Sequence, residues 1–300
     1  MNTSNEFGGP FESIDVITLK TFSEVQGDTE KNLATEFVLP KFETQFSREE
    51  QIKRKHVTKR IHFIRHGEGH HNVAQREWRE NPNYVKGTEP YKIDTDPEFK
   101  YIDARLTPKG EQQAEKLQDY VSQNCENCSM LVLSPMRRAT QTGLLAFTKE
   151  MNTIRDNASK KEKPLKIVAK EEAHERSYPH TCDKRLDIKD LKKFFFETEA
   201  KRYGDVLAEA GLDVDYSELS SESDPYWGNG STLEPLLSVA KRGCKLMKWI
   251  YDAKDMEVAV AAHSALLKTI FEAVITNKSR TNTWFATGEI KSCDVTFNLI

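Results

Sequence analysis

Lys59-Arg-Ile-His-Phe-Ile-Arg-His-Gly-Glu-Gly-His-His-Asn72 is the stretch on which the reading of this chain turns. Ile61 to Ile64 reads as a short buried strand, and it ends in a permanently charged guanidinium, Arg65, beside an imidazole, His66. Gly67 and Gly69 then turn the chain. A strand end of this kind offers a site for a phosphate and a ring nitrogen able to attack it.

Outward from this stretch, strand and helix signals alternate. Leu106-Thr-Pro-Lys-Gly110 opens a helix with Thr107 as N-cap and Pro108 at its first position, and Ala114, Leu117 and Val121 share one face. Met130 to Leu133 is the next strand, Arg137 to Phe147 the next helix, and Leu165 to Ala169 a third strand. The charged, mixed segment from Glu171 to Asn229 is expected to run over the active-site edge rather than join the core. Ser231-Thr-Leu-Glu234 is a capping box for a helix whose apolar stripe is Leu233, Leu237, Ala240, Cys244, Met247 and Ile250. Met256 to Ala262 is a fourth strand, Ser264 to Ile275 its helix, and Val295 to Ile300 a last strand. The repeat predicts an α/β fold, a three-layer sandwich whose mostly parallel open sheet carries helices on both faces. Ligands of such sheets bind beyond the carboxyl ends of the strands.

At 300 residues and 37% hydrophobic content, the chain can bury one substantial core. Residues 1–55 are polar, with widely spaced Phe7, Phe11, Phe22, Phe37 and Phe42, and read as an N-terminal extension, partly ordered or disordered; residues 56–300 form the catalytic domain. A formal charge of −3 argues against a nucleic-acid binder. No run approaches the roughly twenty apolar residues of a membrane span, and the N-terminus lacks the basic and apolar regions of a secretory signal. Five scattered cysteines suit a reducing compartment, the cytoplasm or alternatively the nucleus. Cys125 and Cys128 form one Cys-x-x-Cys without a second pair, and read as loop thiols. The basic residues Lys53, Arg54, Lys55, Lys59 and Arg60 read as a solvated face. Oligomeric state is not legible.

Three strands therefore end in phosphate-competent groups: Arg65 and His66 after the first, Ser134-Pro-Met-Arg-Arg138 after the second, and His263 after the fourth. If those strands are parallel neighbours, the groups gather on one edge of the sheet. Each unit-charge pair about 4 Å apart is worth roughly 4 kcal/mol at an effective dielectric of ~20, so two guanidiniums and an imidazolium can offset the desolvation of a phosphomonoester. They also stabilise the equatorial oxygens during in-line transfer. No metal or other cofactor is required in that scheme.

In this order and spacing the sequence resembles the histidine phosphatase superfamily, with its phosphoglycerate-mutase-like fold. The matching pieces are Arg65-His66-Gly67-Glu68 with Asn72, Leu106-Thr107 with Gly110, Gln113 and Ala114, Ser134 to Thr142, His174-Glu175-Arg176, and His263. Glu175 followed by Cys182-Asp-Lys-Arg185, together with Trp227 and Arg242-Gly243, is similar to the fungal and plant phosphomutase-like branch. The resemblance implies His66 as nucleophile, Glu175 as the acid that protonates the leaving oxygen, and His263 as a further catalytic residue. It implies Arg65, Asn72, Arg138 and His263 as phosphate contacts, and a small phosphorylated metabolite as substrate. Arg138 is preferred to Arg137 because the family's arginine directly precedes a small residue, here Ala139.

Other readings stand beside this one. His66, His70 and His71 could form a metal cluster, but Gly67 occupies the place where the zincin pattern has Glu; His70 and His71 then read as rim residues or a second layer touching substrate. Glu172 is the alternative to Glu175. Phosphomonoester hydrolysis through a phosphohistidine on His66 is the leading function. A phosphoglycerate-type mutase and an inactive phospho-ligand-binding relative are the alternatives. Leu233, where relatives carry Arg before Glu, and Ala262, where many carry Ser or Thr before His, are departures that bear on the substrate.

Overall fold

Successive residues of the central strands point to opposite sides, and both sets are apolar, so the sheet must be covered twice. The computed structural model describes residues 17–19, 56–157, 165–177, 179–227, 233–276 and 283–298. Its strands are β1 (Ile17–Leu19), β2 (His56–Arg65), β3 (Met130–Leu133), β4 (Lys166–Ala169), β5 (Val214–Asp215), β6 (Glu257–Ala262), β7 (Ile275–Thr276) and β8 (Ile290–Asn298), in the order β5-β4-β3-β6-β2-β8-β1-β7. From β5 through β2 every pairing is parallel, while β8 runs antiparallel to β2.

The helices are α1 (His70–Glu80), α2 (Pro108–Asn124), α3 (Arg137–Ala146), α4 (Thr148–Asp156), α5 (Ile188–Lys193), α6 (Gly204–Glu209), α7 (Leu236–Asp252) and α8 (Ser264–Thr269). Ile64, Leu131, Leu133, Ala259 and Ala261 share one buried cluster with Leu117 and Val121 of α2, Leu144 of α3 and Ile154 of α4. Their neighbours Ile61, Phe63, Val132, Val258 and Val260 share another with Leu246 and Ile250 of α7 and Leu266 of α8. Two cores on opposite faces of a mostly parallel sheet make the expected α/β three-layer sandwich. No helix among the described residues is long and apolar enough to cross a membrane.

Several local expectations change. The segment after β4 is not only a surface excursion: Leu191, Phe195, Tyr203, Leu207 and Val214 are buried in the core under α2 to α4, and β5 extends the sheet. Short helices joined by a wide turn at Phe194–Thr198 hide its apolar period. Helix α7 begins at Leu236 with Pro235 before it; Ser231 and Thr232 of the expected capping box lie outside the described residues. Its buried face is Val239, Ala240, Gly243, Leu246, Met247 and Ile250, leaving Leu233 exposed. The last strand spans Ile290–Asn298 rather than residues 295–300. Helix α8 ends at Thr269 and a wider turn, Ile270–Val274, completes the stretch. The expected extension over residues 1–55 lies outside the described residues, apart from β1, which pairs with β8 and β7.

Candidate active site

The loop after β2 is held from three sides. The His66 backbone N–H donates to the Ala262 carbonyl at 3.0 Å, and the Gly288 N–H donates to the His66 carbonyl at 3.0 Å. The Gly67 N–H donates to Thr142 Oγ1 at 3.0 Å, which ties the loop to α3. A Cβ on Gly67 would stand 2.3 Å from the Gly110 carbonyl oxygen, and one on Gly110 would stand 2.1 Å from that of Glu68. Close approach to the start of α2 is therefore what both glycines permit.

That clamp fixes the His66 ring. Its Nδ1 lies 2.7 Å from the Gly67 carbonyl oxygen, which can only accept, so Nδ1 carries the ring proton and Nε2 keeps its lone pair. Burial, then the charges of Arg138 and Arg65, hold the His66 pKa well below the ordinary histidine range. The neutral ring therefore keeps the Nε2 lone pair available.

His263, at the end of β6, lies with its ring centroid 5.1 Å from that of His66. Its Nε2 is 2.7 Å from Ser134 Oγ, at the end of β3, while its Nδ1 is buried without a hydrogen-bond partner. His71, in the first turn of α1, brings a third buried imidazole to 5.7 Å from His66. Burial first and the nearby Arg138 second depress the pKa of both rings. Arg65 Nη1 donates to the Phe285 carbonyl at 2.5 Å, and Arg138 Nη1 donates to the Cys182 carbonyl at 2.7 Å. Among the described residues, the buried side-chain nitrogens that lack a partner are Arg65 Nε, Arg138 Nε, His71 Nδ1 and His263 Nδ1. All four belong to residues gathered around His66.

Glu175 approaches from the segment after β4. Its carboxylate accepts from the backbone N–H groups of Ala265 at 3.2 Å and Leu266 at 3.3 Å, at the start of α8 and next to His263. Its backbone is braced by Arg242, which donates to the Glu175 carbonyl at 3.2 Å, and by His174 Nδ1, 2.7 Å from the same oxygen. Burial, followed by the Asp183 charge, raises the Glu175 pKa above the usual carboxylate range. His174 in turn faces buried Asp224 at 3.0 Å; burial opposes its charge, but that carboxylate more than offsets the effect and raises its pKa.

The profile of the Histidine phosphatase superfamily (branch 1) matches residues 99–162. A phosphoglycerate mutase-like protein of Arabidopsis thaliana is 29% identical over 229 residues, covering 71% of this chain and 73% of its own length. Over the matched spans this chain is similar to the histidine phosphatase superfamily. Phosphoglycerate mutase-like protein 1 of the same plant is 26% identical, with 71% and 70% covered. Among solved structures, the ecdysone phosphate phosphatase of Bombyx mori in complex with tungstate aligns at 16% identity and a TM-score of 0.46, covering 78% of this chain and 88% of that one.

Arg65, His66, Arg138, Glu175 and His263 come together at one edge of the sheet. Asn72, in the first turn of α1, accepts from the Gly69 N–H through Oδ1 at 2.9 Å and so fixes the start of that helix. Arg137 faces away from the cluster, donating to the carbonyls of Asp103 and Ile102 at 2.8 Å each. Glu171 pairs with Arg185, and Glu172 faces Lys170 at 3.4 Å, so neither competes with Glu175. His70 is exposed while His71 is buried in the cluster, which separates two residues the sequence treats alike. Ser134, which meets His263 from the adjacent strand end, and Asp183, which meets Arg138 from a 3₁₀ turn, carry no local sequence signal of those partners. Cys125 and Cys128 lie in the loop between α2 and β3, as expected, and both are buried.

Two groups of described residues bring metal-competent atoms within 4.8 Å of one another, His62–Cys125–Glu257 and His180–Cys182–Asp183. Neither includes His66, and in each the imidazole already faces a carboxylate.

Proposed function

We propose that this chain hydrolyses a small phosphomonoester through a phosphohistidine on His66. The observation that carries the reading is the set of unpartnered buried nitrogens on Arg65, Arg138, His71 and His263 around a histidine whose Nε2 is unprotonated. A buried N–H left without an acceptor costs about 1–3 kcal/mol, so a protein that keeps several together has a use for them. Phosphate oxygens are matching acceptors, and the two guanidiniums supply charge to match.

In the forward step the His66 Nε2 lone pair forms a bond to phosphorus as the bond from phosphorus to the ester oxygen breaks. The departing oxygen takes the proton of Glu175, whose raised pKa suits it to hold one. A water then attacks the phosphohistidine, its proton passes to Glu175, and inorganic phosphate leaves with His66 restored. Activity as a function of pH is a bell: it rises as His66 loses its proton, well below the usual histidine value, and falls as Glu175 ionises.

The test is release of phosphate from an aryl phosphate in the presence of a chelator, compared with His66→Ala, with acid-labile phosphate on the protein trapped by rapid quench. Hydrolysis that depends on His66 and leaves a phosphohistidine supports the reading. Transfer between positions of a phosphoglycerate with little phosphate release would replace it by a mutase, and no turnover of any ester would leave a phospho-ligand binder.

A further inference from the structure

The cage contains a carboxylate that the reaction just described does not use. Asp183 is buried, in the 3₁₀ turn Thr181–Asp183, and its Oδ1 lies 3.3 Å from Arg138 Nη2. The preceding residue accepts from the other terminal nitrogen through its carbonyl. Asp183 Oδ2 faces His180 Nδ1 at 3.4 Å, and the Cys182 thiol points at Oδ1 from 3.8 Å. An anion beside the principal phosphate-binding arginine weakens the pull on a dianionic substrate, so it needs a reason to be there.

The reason lies in Glu175. Acting on that carboxyl group are Asp183 from the turn, Arg138 from α3 and Arg65 from β2. The Arg176 N–H donates to it from its own segment, as do the Ala265 and Leu266 N–H groups and the Ser264 hydroxyl from α8. All of these except Asp183 favour the ionised form. With Asp183 removed, the attraction of Arg138 and Arg65 on Glu175 would no longer be opposed by a neighbouring carboxylate.

We infer that Asp183 is a positioning residue, the resident counter-ion of Arg138, which holds the guanidinium in place and leaves Glu175 free to deliver its proton to the leaving oxygen. The inference rests on the phosphatase reading for its consequence, but not for its first test. That test follows the Glu175 carboxyl carbon by ¹³C NMR across pH in the full-length protein and in Asp183→Asn, with Glu175→Gln to assign the signal. The Asp183→Asn midpoint falls by about one pH unit, the size of a neighbouring unit charge in a partly screened site. An unchanged midpoint overturns the inference whether or not the protein turns over an ester.

The second test uses two substrates. An aryl phosphate has a phenolate that leaves without help, whereas an alkyl phosphate needs the proton. In Asp183→Asn, kcat/KM near neutrality falls roughly tenfold for the alkyl ester and less than about threefold for the aryl ester, and the basic limb moves to lower pH. Equal losses for both esters at every pH would reduce Asp183 to a structural part and overturn the inference. Asp183→Glu keeps the charge and holds the basic limb in place; should Asp183→Asn fail to fold, a limb displaced by a full unit in Asp183→Glu overturns it instead. Absence of His66-dependent phosphate release from wild-type protein counts against the phosphatase reading alone, since the carboxyl titration still reports on Asp183.

Discussion

Two pairs of buried arginines stand a short way apart in this molecule and do opposite things. Arg185 closes a bidentate pair with Glu171 at 2.9 and 3.0 Å and donates to the carbonyls of Leu186, Ser221, Glu222 and Ser223. Arg242 grips Glu234 at 2.9 and 2.8 Å and donates to the carbonyls of Glu172, His174 and Glu175. Every nitrogen of those two side chains has an acceptor. Arg65 and Arg138 are also buried, yet each keeps its Nε without one. A saturated guanidinium is a brace for the segment around it; an unsaturated one keeps a donor in reserve, which on the proposed reading is for phosphate.

The contrast can be broken at several points. If His66→Ala retains more than about one part in 10⁴ of the phosphate release, the receptor pair surrounds no nucleophile and the contrast loses its meaning. Arg185→Met leaves Glu171 buried and unpaired, and should lower stability by about 3–5 kcal/mol in urea titrations. Arg138→Met should instead cost roughly 10²- to 10³-fold in turnover, with a smaller loss of stability than Arg185→Met because Asp183 still faces His180. Equal destabilisation by both would erase the distinction. Inorganic phosphate at about a hundred times its Kd should stabilise the native protein by ~2.7 kcal/mol. That gain vanishes in Arg138→Met and survives in Arg137→Ala, since Arg137 points elsewhere.

The smallest effect is on pH and stability. His66, His71 and His263 have folded-state pKa values pushed below the ordinary range, chiefly by burial, so the unfolded chain binds more protons below about pH 6.5. Their neutral, buried state supports the fold above that pH, and the support is lost as pH falls toward the folded values, at up to ~1.4 kcal/mol per histidine per pH unit. Urea titrations between pH 7 and 5 should show this slope, reduced in His71→Asn. A flat profile would mean that the rings are already charged in the native state.

Much of the sheet was legible because apolar runs such as Met130 to Leu133 and Val258 to Ala262 carry their burial locally. So were the helix start at Thr107 and the residues following each strand, since strand order along the chain maps onto one sheet edge. Glu175 was reached through family resemblance, because nothing in its immediate sequence says that a helix start ninety residues on will receive its carboxylate. The core character of Leu191 to Val214 was hidden by charged neighbours and short elements. Asn72 accepts from the Gly69 backbone through Oδ1, a local role in fixing the start of α1 that spacing alone does not announce. Asp183 acquires its significance only from the arginine opposite.

Strand β2 occupies the middle of the sheet, yet the strands on either side of it, β6 and β8, come from near the other end of the chain. A ribosome therefore releases the apolar run bearing His66 long before its lateral partners exist. Until residues 257–298 have emerged, that run must be kept from strangers by chaperones or by provisional contacts, and the nucleophile cannot meet His263. The sheet around β2 therefore cannot close before residues 257–298 are made, and slow translation between β2 and β8 would lengthen the interval of greatest aggregation risk.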